Sequence, residues 1–259
     1  MTQLLNLDEI IKNTNRKYGI NLKDILSAYD IGYKKLYICM FLLAEEVRNA
    51  YFELFPRNKE SYGFNIYGLT RALNVKIVEK NLSDLKHDLT YSVATYSYYD
   101  HFGGRTIYIN EDIGDYSKRV ALANALSCFI VYYIREIDDG VYTIFATAPF
   151  FSDGFNLLPS SLLSTFIMMS MSDVLDLFSL YTTEAMQSVN QRTSFYSLLG
   201  YLGGRLHIED LFTTIFFDRI QTLVMILYDY NGELGIDLHG FCEKVKKFTY
   251  LFKLSDNPN

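Results

Sequence analysis

Tryptophan is absent from the 259-residue sequence, and proline and cysteine are scarce, with four and three residues. The three cysteines, Cys39, Cys128 and Cys242, are odd in number and widely spaced. They can therefore build neither a disulfide framework nor a Cys-x-x-Cys metal knuckle, and a reducing compartment is the simplest expectation. With only 15 glycines beside the four prolines, the collagenous and low-complexity classes are excluded as well.

Secretory and membrane-spanning segments are not expected either. Residues 1–10 contain two carboxylates and no basic side chain, unlike a signal peptide. Residues 154–172 carry no charge, but they include Asn156, Pro159 and several serines, whose burial in hydrocarbon would be costly. The sequence therefore predicts a cytoplasmic protein that has no membrane among its partners.

Basic residues are rare in the second half of the chain. Between Glu136 and Asp237 three basic side chains accompany 13 acidic ones, whereas residues 1–118 hold 15 of each. A strongly acidic surface repels phosphate backbones, which argues against nucleic acid as a partner of this half. Acidic residues beside tyrosines suit a basic protein segment instead. The residues predicted to bind such a protein partner are Tyr132, Tyr133, Glu136, Asp138, Asp139 and Tyr142.

The composition that is present favours a globular α+β protein. Apolar residues make up 49% of the chain and charged residues 21%, so a sizeable core can be buried. Helical periodicity predicts a helical N-terminal region over residues 1–55, followed by a polar linker at residues 57–61. Residues 62–160 are predicted to form an α+β domain. Residues 161–259 are predicted to form a helical C-terminal region, with Gly203 and Gly204 in a loop.

The α+β region contains three predicted strands and one predicted buried helix. Val75–Glu79 alternates in polarity, and two β-rich runs, Tyr91–Tyr99 and Arg105–Ile109, are joined by Asp100–Gly104, which is typical of a hairpin. The helix predicted over Lys118–Arg135 has fifteen consecutive uncharged residues and is expected to lie inside the domain. We therefore expect a small antiparallel sheet of three strands packed on a buried helix.

This order of elements resembles that of the ImmA/IrrE-like zinc metallopeptidases. In the predicted buried helix, the residues that match the family's pattern are Arg119, Leu122, Ala123 and Leu126. Phe155–Pro159 resembles the family's segment that ends in Leu-Leu-Met-Pro. The resemblance implies a zincin-like fold over residues 66–159. It also implies a role in phages or mobile elements, where members of the family cleave regulatory proteins.

The sequence departs from the family at the zinc site. The family carries HExxH in this helix, where two histidines bind zinc and the glutamate activates a metal-bound water. Asn124, Ala125 and Cys128 stand at those three positions, and Ala148 stands near the position of the third, acidic ligand. No metal or cofactor is therefore expected. Candidates for a site rebuilt elsewhere are His87, His101, His207, His239 and Asp153.

These departures predict a catalytically inactive pseudo-peptidase that acts as a protein-binding regulatory module. Cys128 is predicted to be a small buried side chain rather than a nucleophile, because no histidine lies near it in the sequence. Two alternatives stay open at this point. One is an active metal-dependent hydrolase with a relocated site, and the other is a helical interaction module unrelated to peptidases.

Overall fold

The computed structural model describes residues 4–28, 32–57, 62–82, 93–99, 105–136, 142–146, 159–187, 195–208 and 210–252. The helices that precede the sheet are α1 (Leu7–Tyr18), α2 (Leu22–Ser27), α3 (Tyr33–Leu54) and α4 (Ile66–Ala72). The side chain of Asn6 accepts a hydrogen bond from the Glu9 N–H at the start of α1, and Gly19 ends the helix with a φ of 64°. The N-terminal region is therefore helical, as predicted.

In the part of the chain that the structure describes, four strands form one mixed sheet. The strands are β1 (Lys76–Lys80), β2 (Val93–Tyr99), β3 (Arg105–Asn110) and β4 (Tyr142–Ala146), in the order β1-β3-β2-β4. β2 and β3 are antiparallel, with Tyr96 opposite Tyr108, as the hairpin pattern predicts. β4 pairs antiparallel with the other side of β2, and β1 pairs in parallel with β3.

The prediction of a three-stranded antiparallel sheet is therefore wrong. β1 aligns in parallel with β3, with Ile77 beside Ile107, because the second strand of the hairpin, and not the first, lies next to β1. The strand β4 was not predicted, although its Tyr-Thr-Ile-Phe-Ala sequence is rich in residues that favour strands. Its partner β2 lies far earlier in the chain, and such non-local pairing leaves no local signal. The broader expectation of an α+β fold holds.

Helix α5 (Asp115–Ile134) is the buried centre of the fold. Every residue from Val120 to Val131 is buried, which agrees with the uncharged run in the sequence. The helix packs against β2, β3 and β4 on one side and against a later helix, α6 (Pro159–Met168), on another. A helix surrounded in this way cannot be amphipathic, since it has no face toward solvent along most of its length.

The C-terminal region continues with α7 (Met171–Gln187), α8 (Phe195–Leu206), α9 (Asp210–Tyr228) and α10 (His239–Phe252). α8 runs through Gly203 and Gly204, so the loop predicted there is wrong. Each glycine in a helix interior costs about 1 kcal/mol relative to alanine. Burial of Leu202 and Leu206 on either side offsets this cost, because both side chains are fully enclosed.

The core is shared among the three predicted regions. Buried side chains from the N-terminal helices, the α+β region and the C-terminal helices belong to one hydrophobic cluster, which includes Phe41, Leu126 and Leu223. The boundaries at residues 55, 62 and 160 stay predictions.

Helix α6 lies within the uncharged segment noted above, and all its residues from Ser160 to Met168 are buried. In the described ranges, no single helix combines the length and the apolar character needed to cross a bilayer. The pair formed by α6 and the first part of α7, Met171–Tyr181, meets that test together, with a bend of 44° between the two helices.

Candidate functional site

Two of the three positions predicted to correspond to HExxH, Asn124 and Cys128, lie on the face of α5 that meets α6. The Ser164 hydroxyl lies 2.5 Å from Asn124 Oδ1 and can donate a hydrogen bond to it. One turn further along α5, Cys128 shares a side-chain hydrogen bond with Ser160, one turn back along α6. Ala125 between them is fully buried. The two helices are therefore antiparallel here, and serines of α6 occupy the space in front of Asn124 and Cys128.

The buried polar contacts of Asn124 and Cys128 with the serines of α6, called the seam here, extend to helix α9. The backbone carbonyl of Ser161 accepts hydrogen bonds from Arg219 Nη1 at 3.0 Å and from the Thr165 hydroxyl, also at 3.0 Å. Arg219 Nη1 further donates to Thr165 Oγ1 at 2.7 Å. Burial lowers the pKa of the Arg219 guanidinium, and the Tyr37 hydroxyl and Asp218 oppose that shift. The seam thus connects α5, α6 and α9 by hydrogen bonds.

The chemistry available at the seam is limited. Burial raises the pKa of the Cys128 thiol to about 11, so the thiol is neutral at physiological pH. Among the described residues, no group of three or more His, Cys, Asp or Glu side chains is placed to hold a metal ion. Ala148, His87, His101 and Asp153 lie outside the described residues. His207 follows α8 and lies against the start of α5, with its ring centre 5.7 Å from that of Tyr116, and His239 begins α10.

The described members of the predicted partner-binding set have different neighbours, and the set as a whole stays a prediction. Tyr133 donates a hydrogen bond to Asp8 of α1 at 2.7 Å, and Glu136 forms an exposed ion pair with Lys23 of α2 at 2.5 Å. Tyr132 is half-buried on α5. Tyr142 opens β4 and pairs in register with Tyr98, while Asp138 and Asp139 lie outside the described residues. The N-terminal helices thus contact part of the acidic end of α5.

Arg119, near the start of α5, connects two loops. Its Nη2 donates to the Phe64 carbonyl at 2.6 Å and its Nε to the His207 carbonyl at 3.2 Å. Burial lowers the pKa of this guanidinium. The junction is tight, because a Cβ at Gly63 would lie 2.4 Å from the His207 ring. Arg119 therefore holds the segment before α4 against the end of α8.

A buried ion cluster was not predicted from the sequence. Arg48 on α3 donates from Nη2 to Asp173 Oδ2 at 2.6 Å and from Nη1 to the Ile167 carbonyl. Arg57 donates to the other carboxylate oxygen of Asp173 at 2.5 Å. Arg48 and Asp173 have side chains that are 5% and 1% exposed, so both charges are removed from water. The cluster joins α3 to the break between α6 and α7.

The three cysteines should be unreactive in the folded protein. All three are buried, and burial raises the pKa of the Cys39 and Cys128 thiols to about 11 and also raises that of Cys242. At about pH 8, a thiol with that pKa is ionised in roughly one molecule in a thousand. We expect no reaction with a thiol reagent in native buffer and reaction of all three thiols in guanidinium. Rapid native labelling of Cys128 would contradict its assignment as a core residue.

Comparison with known proteins gives no relative: no protein-family model, curated protein or solved structure matches this chain.

Proposed function

We propose that this protein is a catalytically inactive pseudo-peptidase, related to the ImmA/IrrE-like metallopeptidases, that acts by binding another protein. The observation that carries the proposal is the pairing of Asn124 with Ser164 and of Cys128 with Ser160. Residues at i and i+4 of a buried helix share one face and point toward the same neighbour. A zinc-binding helix of the HExxH type uses that same spacing. In this chain the two residues at that spacing, Asn124 and Cys128, hydrogen-bond with serines of α6 and so help α5 to pack against α6.

Position 160 on α6 faces the part of α5 that carries Asn124 and Cys128. Ser160 shares a side-chain hydrogen bond with Cys128, and Ser164, one turn further along α6, hydrogen-bonds with Asn124. A longer polar side chain at position 160 would therefore reach the face of α5 on which the histidines of an HExxH helix would stand.

The first test of the proposal is the metal content. We expect that protein purified through gel filtration in zinc-containing buffer retains far less than one zinc per chain, because Asn124 and Ala125 offer no imidazole or carboxylate. Elemental analysis measures this directly. Stoichiometric zinc that is lost in Cys128→Ser or His101→Ala would instead support the alternative of a relocated hydrolase site.

The second test concerns the acidic partner surface. Replacing Glu136→Gln, Asp138→Asn and Asp139→Asn together should slow association with a basic protein partner by about tenfold at low salt, because complementary charge mainly raises the association rate. The partner is first isolated from the native host by crosslinking and mass spectrometry. Surface plasmon resonance at several salt concentrations then gives the rates for both forms of the protein.

The matched control neutralises three exposed acids of the first half, Glu9→Gln, Glu53→Gln and Glu111→Gln. This variant changes the net charge equally, so it should keep most of the wild-type association rate if the acids after α5 form the interface. If the variant neutralised at residues 136, 138 and 139 associates as fast as the wild type, we would place the interface on the helices before Pro56 instead. A partner without basic character would contradict the charge argument.

A further inference from the structure

Helix α9 carries large apolar side chains on the side that it turns away from the core. Its buried residues, which include Phe216 and Leu223, belong to the shared hydrophobic cluster. Met225 and Tyr228, in contrast, are 55% and 46% exposed. Single exposed apolar residues are common on protein surfaces, so the neighbours of these two decide whether they form a binding surface.

The start of α3 lies beside this part of α9. The Tyr37 hydroxyl hydrogen-bonds with the Thr222 side chain and interacts electrostatically with Tyr33, one turn earlier on α3. Lys34 forms an ion pair at 3.4 Å with Glu233, which follows α9. Tyr33, which is 52% exposed, is therefore held near the stretch between Thr222 and Glu233. The two exposed apolar residues of α9 lie in that same stretch.

Carboxylates flank these apolar side chains. Asp218 stands seven positions before Met225 and Asp229 four positions after it, spacings that put all three on one face of a helix. Asp229 donates its backbone N–H to the Met225 carbonyl, so it continues the last turn, and both aspartates are exposed. Helix α9 has no lysine, and its one arginine, Arg219, is buried in the seam. The residues of this surface, called the α9 stripe here, are Tyr33, Asp218, Met225, Tyr228 and Asp229.

The size of the α9 stripe fits a single helix better than a globular partner. Its three apolar side chains are each about half exposed and present roughly 300 Å² together. A stable interface between two globular proteins needs about 800 Å² on each side. A helix that docks through its apolar face needs only a few anchors, one on each successive turn.

The charge of the α9 stripe distinguishes between possible occupants. In a symmetric dimer the two stripes would face each other, and their four carboxylates would repel. The chain also has a net charge of −6, which opposes self-association. A segment with lysine or arginine beside its apolar residues would instead pair with Asp218 and Asp229. Charge complementarity therefore favours a basic segment over a second copy of the chain.

We propose that the α9 stripe binds a basic amphipathic helix of the protein partner, an inference that rests on the proposed function. The apolar face of that helix covers Tyr33, Met225 and Tyr228, and its basic side chains reach the two aspartates. The acids after α5 raise the association rate, whereas the α9 stripe supplies the apolar contact that slows dissociation.

Fluorescence anisotropy of the full chain with a labelled peptide of about 18 residues, or about five helical turns, tests the proposal. The peptide carries leucine on one helical face and lysine on the other. We expect Met225→Gln with Tyr228→Gln to weaken binding by about tenfold, because the two side chains are apolar anchors. Both are exposed, so this variant should keep the wild-type melting temperature. Asp218→Asn with Asp229→Asn should weaken binding at low salt and have little effect at high salt.

Tyr116→Gln is the matched control for the loss of an exposed aromatic side chain. Tyr116 is 42% exposed, and its ring contacts His207, which precedes α9 at the end remote from Tyr228. This variant should bind the peptide as the wild type does. Undetectable binding by the wild type, wild-type affinity in the variant at Met225 and Tyr228, or equal affinity for a peptide with glutamate in place of lysine would each overturn the proposal.

Two further measurements identify the occupant. Sedimentation velocity that shows a dimer, abolished by Met225→Gln with Tyr228→Gln, would overturn the proposal in favour of a second copy. With the native partner, this variant should dissociate about tenfold faster than the wild type. Equal dissociation rates would show that the partner binds elsewhere, and the chain would remain a protein-binding module. The absence of any protein partner would overturn the proposed function as well.

Discussion

Asp173→Ala is expected to lower the free energy of unfolding by about 3–5 kcal/mol, because it leaves a buried guanidinium without its carboxylate. Arg48 has only 5% of its side chain exposed and cannot turn to water without moving α3 or α7. Its cation also lies 4.7 Å from the centre of the Phe64 ring and 5.5 Å from that of Phe52. These rings exclude water and cannot replace an ionised partner.

Urea denaturation followed by circular dichroism measures this effect. The matched control is Asp176→Ala, which removes an exposed carboxylate from the next turn of α7 and should change stability by less than about 0.5 kcal/mol. Equal free energies of unfolding for the two variants would show that the Asp173 carboxylate does not stabilise the buried arginines.

The double variant Arg48→Met with Asp173→Leu separates two effects of Asp173→Ala, the loss of the ion pair with Arg48 and the loss of packed side-chain volume. Apolar residues of similar volume often replace a buried ion pair at little cost. Arg57 retains 30% exposure of its side chain and can direct its guanidinium to solvent once Asp173 is gone. We therefore expect the double variant to be more stable than Asp173→Ala alone. A further loss in the double variant would indicate that the hydrogen bond to the Ile167 carbonyl dominates.

Local sequence patterns predict the elements of the fold better than their pairing. The uncharged run of α5 identifies this helix to within three residues at either end, because a helix is determined by neighbours in the chain. The parallel pairing of β1 with β3 depends on which strand of the hairpin lies inside. That choice depends on contacts between distant parts of the chain, and alternation within one strand carries no information about it.

Of the two helices that form the candidate site, α5 and α6, only the contribution of α5 could be predicted from the sequence. The spacing of Asn124 and Cys128 places them on one face of a helix, which the sequence suffices to predict. The facing residues Ser160 and Ser164 lie on α6, and serine in a helix has no pattern that marks it as a hydrogen-bond partner. The ion pair of Arg48 and Asp173 joins positions 125 residues apart, so only the folded chain brings them together.

Members of the predicted partner surface make different contacts in the fold. Tyr133 and Tyr142 are nine positions apart, but Tyr133 hydrogen-bonds with α1 whereas Tyr142 enters the sheet beside Tyr98. The side-chain hydroxyl of Tyr133 and the carboxylate of Glu136 contact residues of the first 25, which sequence adjacency alone does not reveal. Binding tests should therefore substitute Glu136, Asp138 and Asp139 separately from Tyr142.

The position of Ser160 opposite Cys128 leads to the second large expected effect, the creation of a zinc site. Asn124→His with Cys128→His supplies two imidazoles at i and i+4, and Ser160→Glu adds a carboxylate from the facing helix. Three such protein ligands are sufficient for a catalytic type of zinc site with an open fourth position. We expect about one zinc per chain in the triple variant and far less in the double variant that lacks Ser160→Glu.

Ala125 is left unchanged in this design, because an unpaired carboxylate at a fully buried position would cost several kcal/mol. The control replaces the neighbouring serine, Ser161→Glu, with the same two histidines. One residue along a helix turns the side chain by about 100°, so this glutamate points away from α5. Both triple variants bury a similar charge, and a thermal melt with and without zinc compares them. Zinc should raise the melting temperature of the Ser160→Glu variant alone, since a ligand that binds only the folded state stabilises it. If both variants or neither were stabilised, the inference that position 160 can supply a zinc ligand beside residues 124 and 128 would be wrong, whereas the hydrogen bond from Ser164 would still account for Asn124.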